Sequence, residues 1–215
     1  TISDPKEPHF FNDDMLYRDY FEQSRYLSLF ETSKENCDIV IDASALYLFS
    51  TSAVPNILKF EPNAKFIVML RDPVEMAYSM HSELLSNGQE CEHDFHRAWS
   101  LMTPRSHGES IPFGTREPKL LQYGELCKTG LQVNRLLEQV DFNQVLFAEF
   151  RHFISDPANE YRRVLKFLKL EDMGFSDFVV HNANVIASSR RLVLLSKFIN
   201  RMKRKLGVTA GIGLL

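Results

Sequence analysis

The sequence predicts an α/β fold, a mainly parallel sheet flanked by helices, and three observations lead there. Short apolar runs of strand length occur at residues 39–43, 66–70 and 144–150. Helix-start signals follow two of them closely, at Asp72-Pro73 and at Ser155-Asp156-Pro157. Strands that alternate with helices imply crossover connections, which put helical layers on the faces of a parallel sheet.

Taken in order, Asp38 and Ser44 bound the first run, residues 39–43, which reads as a buried strand. Phe66, Ile67, Val68, Met69 and Leu70 read as a strand buried on both faces. Asp72 can cap a helix, Pro73 suits the first helical position, and Glu75 lies three after Asp72 as in a capping box, so a helix begins at about residue 73. Residues 92–99 read as a further helix. Residues 103–118 hold Pro104, Gly108, Pro112, Gly114 and Pro118 and read as a loop, long enough to suggest a functional role. Over 119–139, Leu120, Leu121, Leu126, Leu131, Leu136 and Leu137 fit one helix, with Gly124 and Gly130 as its weak points. The third strand follows at 144–150. A helix then starts at Pro157 and keeps Tyr161, Val164, Leu165 and Leu168 on one face through Leu170.

A chain of 215 residues with 44% hydrophobic and 12% aromatic content suits one globular domain, residues 1–215. No apolar run reaches 18 residues, so no membrane span is expected. No signal peptide is read in the chain, but it begins without Met, which leaves an upstream leader or anchor open. Cys37, Cys91 and Cys127 are odd in number and far apart, which speaks against a disulfide scaffold or a zinc ribbon. No His-Glu-x-x-His, aspartate-rich loop or Cys/His cluster suggests a metal.

The net charge of −3 is unevenly spread. Seven of the 25 basic residues fall between Arg190 and Lys205 with no acid among them, leaving 18 basic against 28 acidic residues, or −10, elsewhere. Leu192, Leu195, Ile199, Met202 and Leu206 put an apolar stripe on the same segment. It reads either as a packed helix with a solvated basic face or as a surface for a polyanionic glycan, a nucleotide or an anionic membrane. Nucleic acid is disfavoured, because no aromatic stacking platform accompanies the charge.

Two places could carry chemistry. The first is the corner from Arg71 to Ser79, where a strand feeds a helix N-terminus with unpaired N–H groups and a positive dipole end. Arg71 offers a charged fork for a phosphate and Ser79 a hydroxyl; alternatively Arg71 pairs with Asp72 or Glu75 and Ser79 is an ordinary helix serine. The second is Lys6-Glu7-Pro8-His9-Phe10-Phe11. Pro8 pushes Glu7 toward an extended conformation, in which Glu7 and His9 face the same way. Beside the apolar Phe10-Phe11 pair, that carboxylate would suit a general base; alternatively this is a frayed terminus with Glu7 paired to Lys6 in water.

Arg71-Asp72-Pro73 followed by Ala77-Tyr78-Ser79 resembles the 3'-phosphate-binding signature of sulfotransferases that use 3'-phosphoadenosine 5'-phosphosulfate (PAPS). The resemblance implies that Arg71 and Ser79 hold the 3'-phosphate of PAPS or of its product PAP. Lys6-Glu7-Pro8-His9-Phe10-Phe11 is similar to the segment that carries the catalytic glutamate in heparan sulfate sulfotransferases and their bacterial relatives. It implies Glu7 as the base, His9 as a supporting catalytic residue and Lys6 near the transferred sulfonate. Asp42-Ala43-Ser44-Ala45-Leu46-Tyr47-Leu48 resembles the segment that helps build the acceptor and sulfonate pocket, with Ala43 where the heparan sulfate enzymes often have lysine. The likeness spans about residues 5–170 and continues through Tyr123-Gly124, Val145-Leu146, Asp156-Pro157 and Phe167-Leu168.

The implied fold is the P-loop-NTPase-like sulfotransferase fold lacking its first strand and phosphosulfate loop. That Gly-rich lysine loop would precede Lys6, and no Gly-x-x-x-x-Gly-Lys-[Ser/Thr] or Gly-Thr-Thr occurs in the chain. A fragment is therefore expected, incomplete at the N-terminus and, because 207–215 carry no stop signal, at the C-terminus. The implied activity is sulfuryl transfer from PAPS to a hydroxyl or amine of a carbohydrate-like or other acceptor, without a metal. Arg190 and Arg191 are further candidates for fixing the nucleotide. The alternatives are a non-catalytic domain that binds an anion or nucleotide without the 5'-phosphosulfate loop, and, with less support, a nucleotide kinase. The compartment stays open: cytoplasm for a bacterial protein, Golgi lumen for a eukaryotic one whose anchor is missing.

Overall fold

The computed structural model describes residues 2–18, 20–30 and 39–178. Cys37, the basic segment 189–206, Arg190, Arg191 and the tail 207–215 lie outside the described residues. The described residues fall into two compact units, one running to Arg71 and resuming from Lys128 to Phe178, the other spanning Asp72–Cys127.

The first unit holds the sheet. β1 (Phe66–Leu70) and β2 (Val145–Glu149) pair in parallel, Phe66 opposite Val145 and Leu70 opposite Glu149. Because strand side chains alternate, Phe66, Val68 and Leu70 share one face with Val145 and Phe147. That face packs on Val54 and Leu58 of α2 (Ala53–Phe60) and on Val133, Leu136 and Leu137 of α7 (Thr129–Leu137). The expectation that β1 is buried on both faces holds for one face only, since Ile67 and Met69 stay 42% and 45% exposed. The helices after β2, α8 (Phe150–Ser155) and α9 (Pro157–Leu168), lie against β2. Asp156 caps α9 through Asn159 N (3.1 Å), with Pro157 in the first turn.

The expected strand at residues 39–43 is not formed. A strand needs a neighbour along its length, and among the described residues Ile2 and Ile41 form a single parallel bridge, with Val40 59% exposed. The run ends where Asp42 folds back on its own chain, accepting from Ser44 N at 3.0 Å.

Among the described residues, the short helices α1 (Gln23–Ser28), α2 and α8 escaped the sequence reading. Tyr26 of α1 and Ala53 of α2 share a core with Phe11, Leu29 and Phe30. The start of α2 is held by Asp14, whose carboxylate accepts from Thr51 N (2.9 Å), Thr51 Oγ1 (2.9 Å), Ser52 Oγ (2.9 Å) and Ser50 Oγ. Burial pushes this carboxyl up, but the four donors outweigh it and hold it at about 2. The native value lies below the ordinary 3.8, so the stabilisation is complete above that pH and fades as pH falls toward 2. Asp14→Ala is expected to cost about 1–2 kcal/mol in urea unfolding at neutral pH, and less in acid.

In the second unit, Asp72 caps α3 (Pro73–Ser86) with Pro73 at its first position, and the helix starts where expected. Asp94 caps α4 (Phe95–Ser100) through Arg97 N at 2.8 Å, so this helix begins three residues later than the 92–99 reading. The loop expected at 103–118 opens with a helical turn, α5 (Met102–Ser106), because Pro104 sits in a first turn where an N–H has no helical partner anyway. The single helix expected over 119–139 is three pieces: a 3-10 turn (Pro118–Leu121), α6 (Tyr123–Leu126) and α7. Leu120, Leu121, Tyr123 and Leu126 are all buried, and on one straight helix they would point to different sides. Breaking the helix turns them all inward. Phe95 joins Tyr78 (4.1 Å), His81 (5.4 Å), Trp99 (5.8 Å) and Tyr123 (5.7 Å) in an aromatic cluster. Among the described residues no helix is long and apolar enough to cross a membrane.

Candidate active site

Glu7 and His9 do come together, but not along an extended strand. Both have positive φ, 55° and 49°, so the chain makes a left-handed turn around Pro8. Pro8 keeps Glu7 out of the right-handed helical region, and the backbone takes the left-handed alternative instead of the extended one. Each such residue costs on the order of 1–3 kcal/mol and persists only where its surroundings enforce it. The turn brings Glu7 Oε2 to 3.5 Å from His9 Nε2. This is ion-pair distance without hydrogen-bond alignment, since neither ring nitrogen of His9 has a hydrogen-bond partner among the described residues.

The two side chains differ in access. His9 is buried at 1% exposure, its ring edge-on to Tyr17 at 4.9 Å, whereas the Glu7 side chain is 52% exposed. The apolar enclosure expected from Phe10 and Phe11 therefore does not cover Glu7. Phe10 stacks on Tyr26 at 4.4 Å, and Phe11 enters the core beside Tyr26 at 5.2 Å. An exposed carboxylate backed by a buried imidazole can take a proton from a hydroxyl or amine approaching from solvent.

Beneath this turn lies a network that sequence reasoning did not connect to it. Asp42 Oδ1 accepts from Ser44 Oγ (2.6 Å), while Oδ2 accepts from Tyr47 OH (2.7 Å) and Tyr26 OH (3.1 Å). Ser44 Oγ in turn accepts from His9 N (3.0 Å), and Tyr47 OH from Phe10 N (3.1 Å). Burial, followed by the charge of Asp42, pushes both tyrosine hydroxyls well above their ordinary range, which keeps them protonated as donors. Asn56 Nδ2 of α2 holds Phe11 O at 2.9 Å, and Arg135 of α7 donates to the carbonyls of Leu48 (2.7 Å), Phe49 (3.0 Å) and Ser50 (3.1 Å). Ala43, at the position where the resemblance leads one to look for lysine, is exposed and offers no cation.

The corner after β1 departs from expectation in one respect. Asp72 Oδ1 accepts from Val74 N (2.9 Å) and Glu75 N (3.1 Å), so the protein's own carboxylate engages the helix N-terminus. Any anion bound here relies on side chains. Arg71, in the first unit, lies with its guanidinium carbon over the Phe150 ring, 4.5 Å from the centroid, a cation–π contact. Ser79 is half-buried on α3 in the second unit. Among the described residues no group of three or more His, Cys, Asp or Glu side chains could hold a metal ion.

Residues 3–174, most of the chain, match the profile of the sulfotransferase family. The chain belongs to that family. It is 28% identical over 170 residues to heparan sulfate glucosamine 3-O-sulfotransferase 3A1 of Mus musculus, and 27% identical over 169 residues to the 3B1 enzyme of the same animal. Each match covers 77% of this chain and 38% of the relative, so the chain spans well under half the length of those curated family members. A crystal structure of a sulfotransferase from Alicyclobacillus acidocaldarius superposes with a TM-score of 0.68 at 23% identity, covering 98% of this chain and 86% of that one. That likeness establishes the family's P-loop-like α/β fold for this chain, with its parallel sheet flanked by helices.

Proposed function

We propose that the protein transfers a sulfuryl group from PAPS to a hydroxyl of a glucosamine-like sugar, with Glu7 as general base and Arg71 and Ser79 holding the 3'-phosphate. The observation that carries this reading is the pairing of exposed Glu7 with buried His9 at 3.5 Å, in a chain whose family and fold are those of sulfotransferases. The names of the mouse relatives suggest the acceptor class, and an amine acceptor is the variant to test beside it.

PAPS supplies an activated sulfuryl group and leaves as PAP. As the acceptor oxygen attacks sulfur, Glu7 takes the proton of that hydroxyl, and the bond from sulfur to the 5'-phosphate oxygen breaks. His9, with Nε2 3.5 Å from the Glu7 carboxylate, is the supporting residue that would orient the base once acceptor is bound. Arg71, over the Phe150 ring, offers the 3'-phosphate a charged fork and Ser79 offers a hydroxyl. Positioning of this kind is the main task in an in-line transfer between oxygens.

Calorimetric titration with PAP and with AMP, which lacks the 3'-phosphate, tests the nucleotide half. PAP is expected to bind more tightly than AMP, and Arg71→Ala to weaken PAP binding by roughly 10–100-fold while leaving AMP unchanged. Equal affinity for PAP and AMP, or an unaltered PAP affinity in Arg71→Ala, would remove Arg71 from the site. Tight PAP binding without transfer to any acceptor would instead favour a non-catalytic nucleotide-binding domain.

A further inference from the structure

The left-handed turn at Glu7 and His9 must be enforced from outside, and the described contacts show how. Ser44 and Tyr47 each have one hydroxyl hydrogen. The Asp42 carboxylate, which can only accept when ionised, draws both hydrogens to itself at 2.6 and 2.7 Å. That orientation turns the hydroxyl lone pairs toward the backbone, where they receive His9 N at 3.0 Å and Phe10 N at 3.1 Å. Phe11 N approaches the same Tyr47 oxygen at 3.5 Å. Tyr26 OH and Ser44 N supply two more donors to Asp42, which fix the carboxylate itself.

We infer that Asp42 is a positioning residue: by polarising Ser44 and Tyr47 it holds the Glu7–His9 turn in its strained, chemically useful conformation. The inference rests on the reading of Glu7 as the base, yet its structural content can be tested without turnover. It depends on polarity rather than shape. Asp42→Asn keeps the volume but replaces one acceptor oxygen with an NH2 donor. One of the two hydroxyls must then accept from the amide and swing its own hydrogen toward a backbone N–H. Tyr47→Phe keeps the ring packing and removes the acceptor for Phe10 N together with one donor to Asp42, leaving Ser44 and its bond to His9 N in place.

Hydrogen exchange measured on the full 215-residue chain separates local support from general stability. In Asp42→Asn, the amides of His9 and Phe10 are expected to exchange about tenfold or more faster than in the wild type, and in Tyr47→Phe that of Phe10. The β1 amides should stay within about twofold in both variants. Where wild-type turnover is measured, Asp42→Asn should lower kcat while the KM for PAPS stays within about twofold. Unchanged exchange at His9 and Phe10, or acceleration that merely tracks β1, would overturn the inference. Lack of turnover in the wild type counts against the proposed reaction alone, because the exchange pattern decides the role of Asp42 independently.

Discussion

Glu7→Gln is expected to lower turnover by about 10²–10⁴-fold, the range usual for loss of a general base, while nucleotide affinity stays within about twofold. Glutamine preserves the length and hydrogen-bonding capacity of the side chain but cannot take up the acceptor proton at neutral pH. The side chain is 52% exposed and held by its backbone turn rather than by core packing, so the substitution should not unfold the protein. Initial rates with saturating acceptor, set beside a PAP titration of the same variant, distinguish lost chemistry from lost binding. A variant that retains turnover would reject Glu7 as the base and move attention to another carboxylate near the turn.

The second large effect is on stability and lies in the other unit. Glu90 is fully buried, at 0% exposure, and its carboxylate accepts from Arg105 Nη1 and Nη2 (2.7 and 2.8 Å) and Tyr123 OH (2.7 Å). It also accepts from Cys91 N (2.7 Å) and Glu92 N (3.0 Å). Arg105 Nε reaches Ser110 O at 3.2 Å, while Thr115 Oγ1 donates to Gln89 O (2.8 Å) and Gln89 Oε1 accepts from Arg116 N (3.0 Å). The 107–117 segment is therefore pinned to the residues after α3 in two ways, through the Glu90–Arg105 pair and through Gln89. Replacing Glu90 by Ala strands the Arg105 charge in the interior, and the expected loss is about 3–5 kcal/mol in urea unfolding at pH 7.

The sign of the pH dependence follows from the same contacts. Burial pushes the Glu90 carboxyl up, but the Arg105 fork, the two backbone N–H groups and Tyr123 more than offset this and hold it below its ordinary 4.5. A carboxyl lowered in the native state stabilises the fold fully above the unfolded value, and that contribution disappears as pH falls through the native one. The stability gap between wild type and Glu90→Ala should therefore be widest near neutrality and narrow as pH falls below the ordinary 4.5. A gap that widens in acid would mean that Glu90 is folded in its protonated form.

Elements whose signals are local were legible in the sequence. The α3 start at Asp72-Pro73 and the α9 start at Asp156-Pro157 follow from cap chemistry within four residues, β1 from an uninterrupted apolar run and β2 from the apolar residues 145–148. Features set by distant partners were not. Whether residues 39–43 form a strand depends on a neighbour, and among the described residues Ile2 alone pairs there. The turn at Glu7 and His9 has no glycine to announce it and is held by Ser44 and Tyr47, some 35 and 37 residues away in sequence. Asp42 was recognisable only as part of a familiar segment, because its role arises from the hydroxyls it orients. The Asp72 cap was legible, yet its consequence for the helix N-terminus emerged only from its bonds to Val74 and Glu75.

Transfer of labelled sulfate from PAPS to a glucosamine-containing polysaccharide is the most direct measurement of what the protein does. Label is expected on a hydroxyl of the sugar, dependent on PAPS and lost in Glu7→Gln. Stoichiometric binding of PAP with no label on any hydroxyl or amine acceptor would contradict sulfuryl transfer as the activity of this chain.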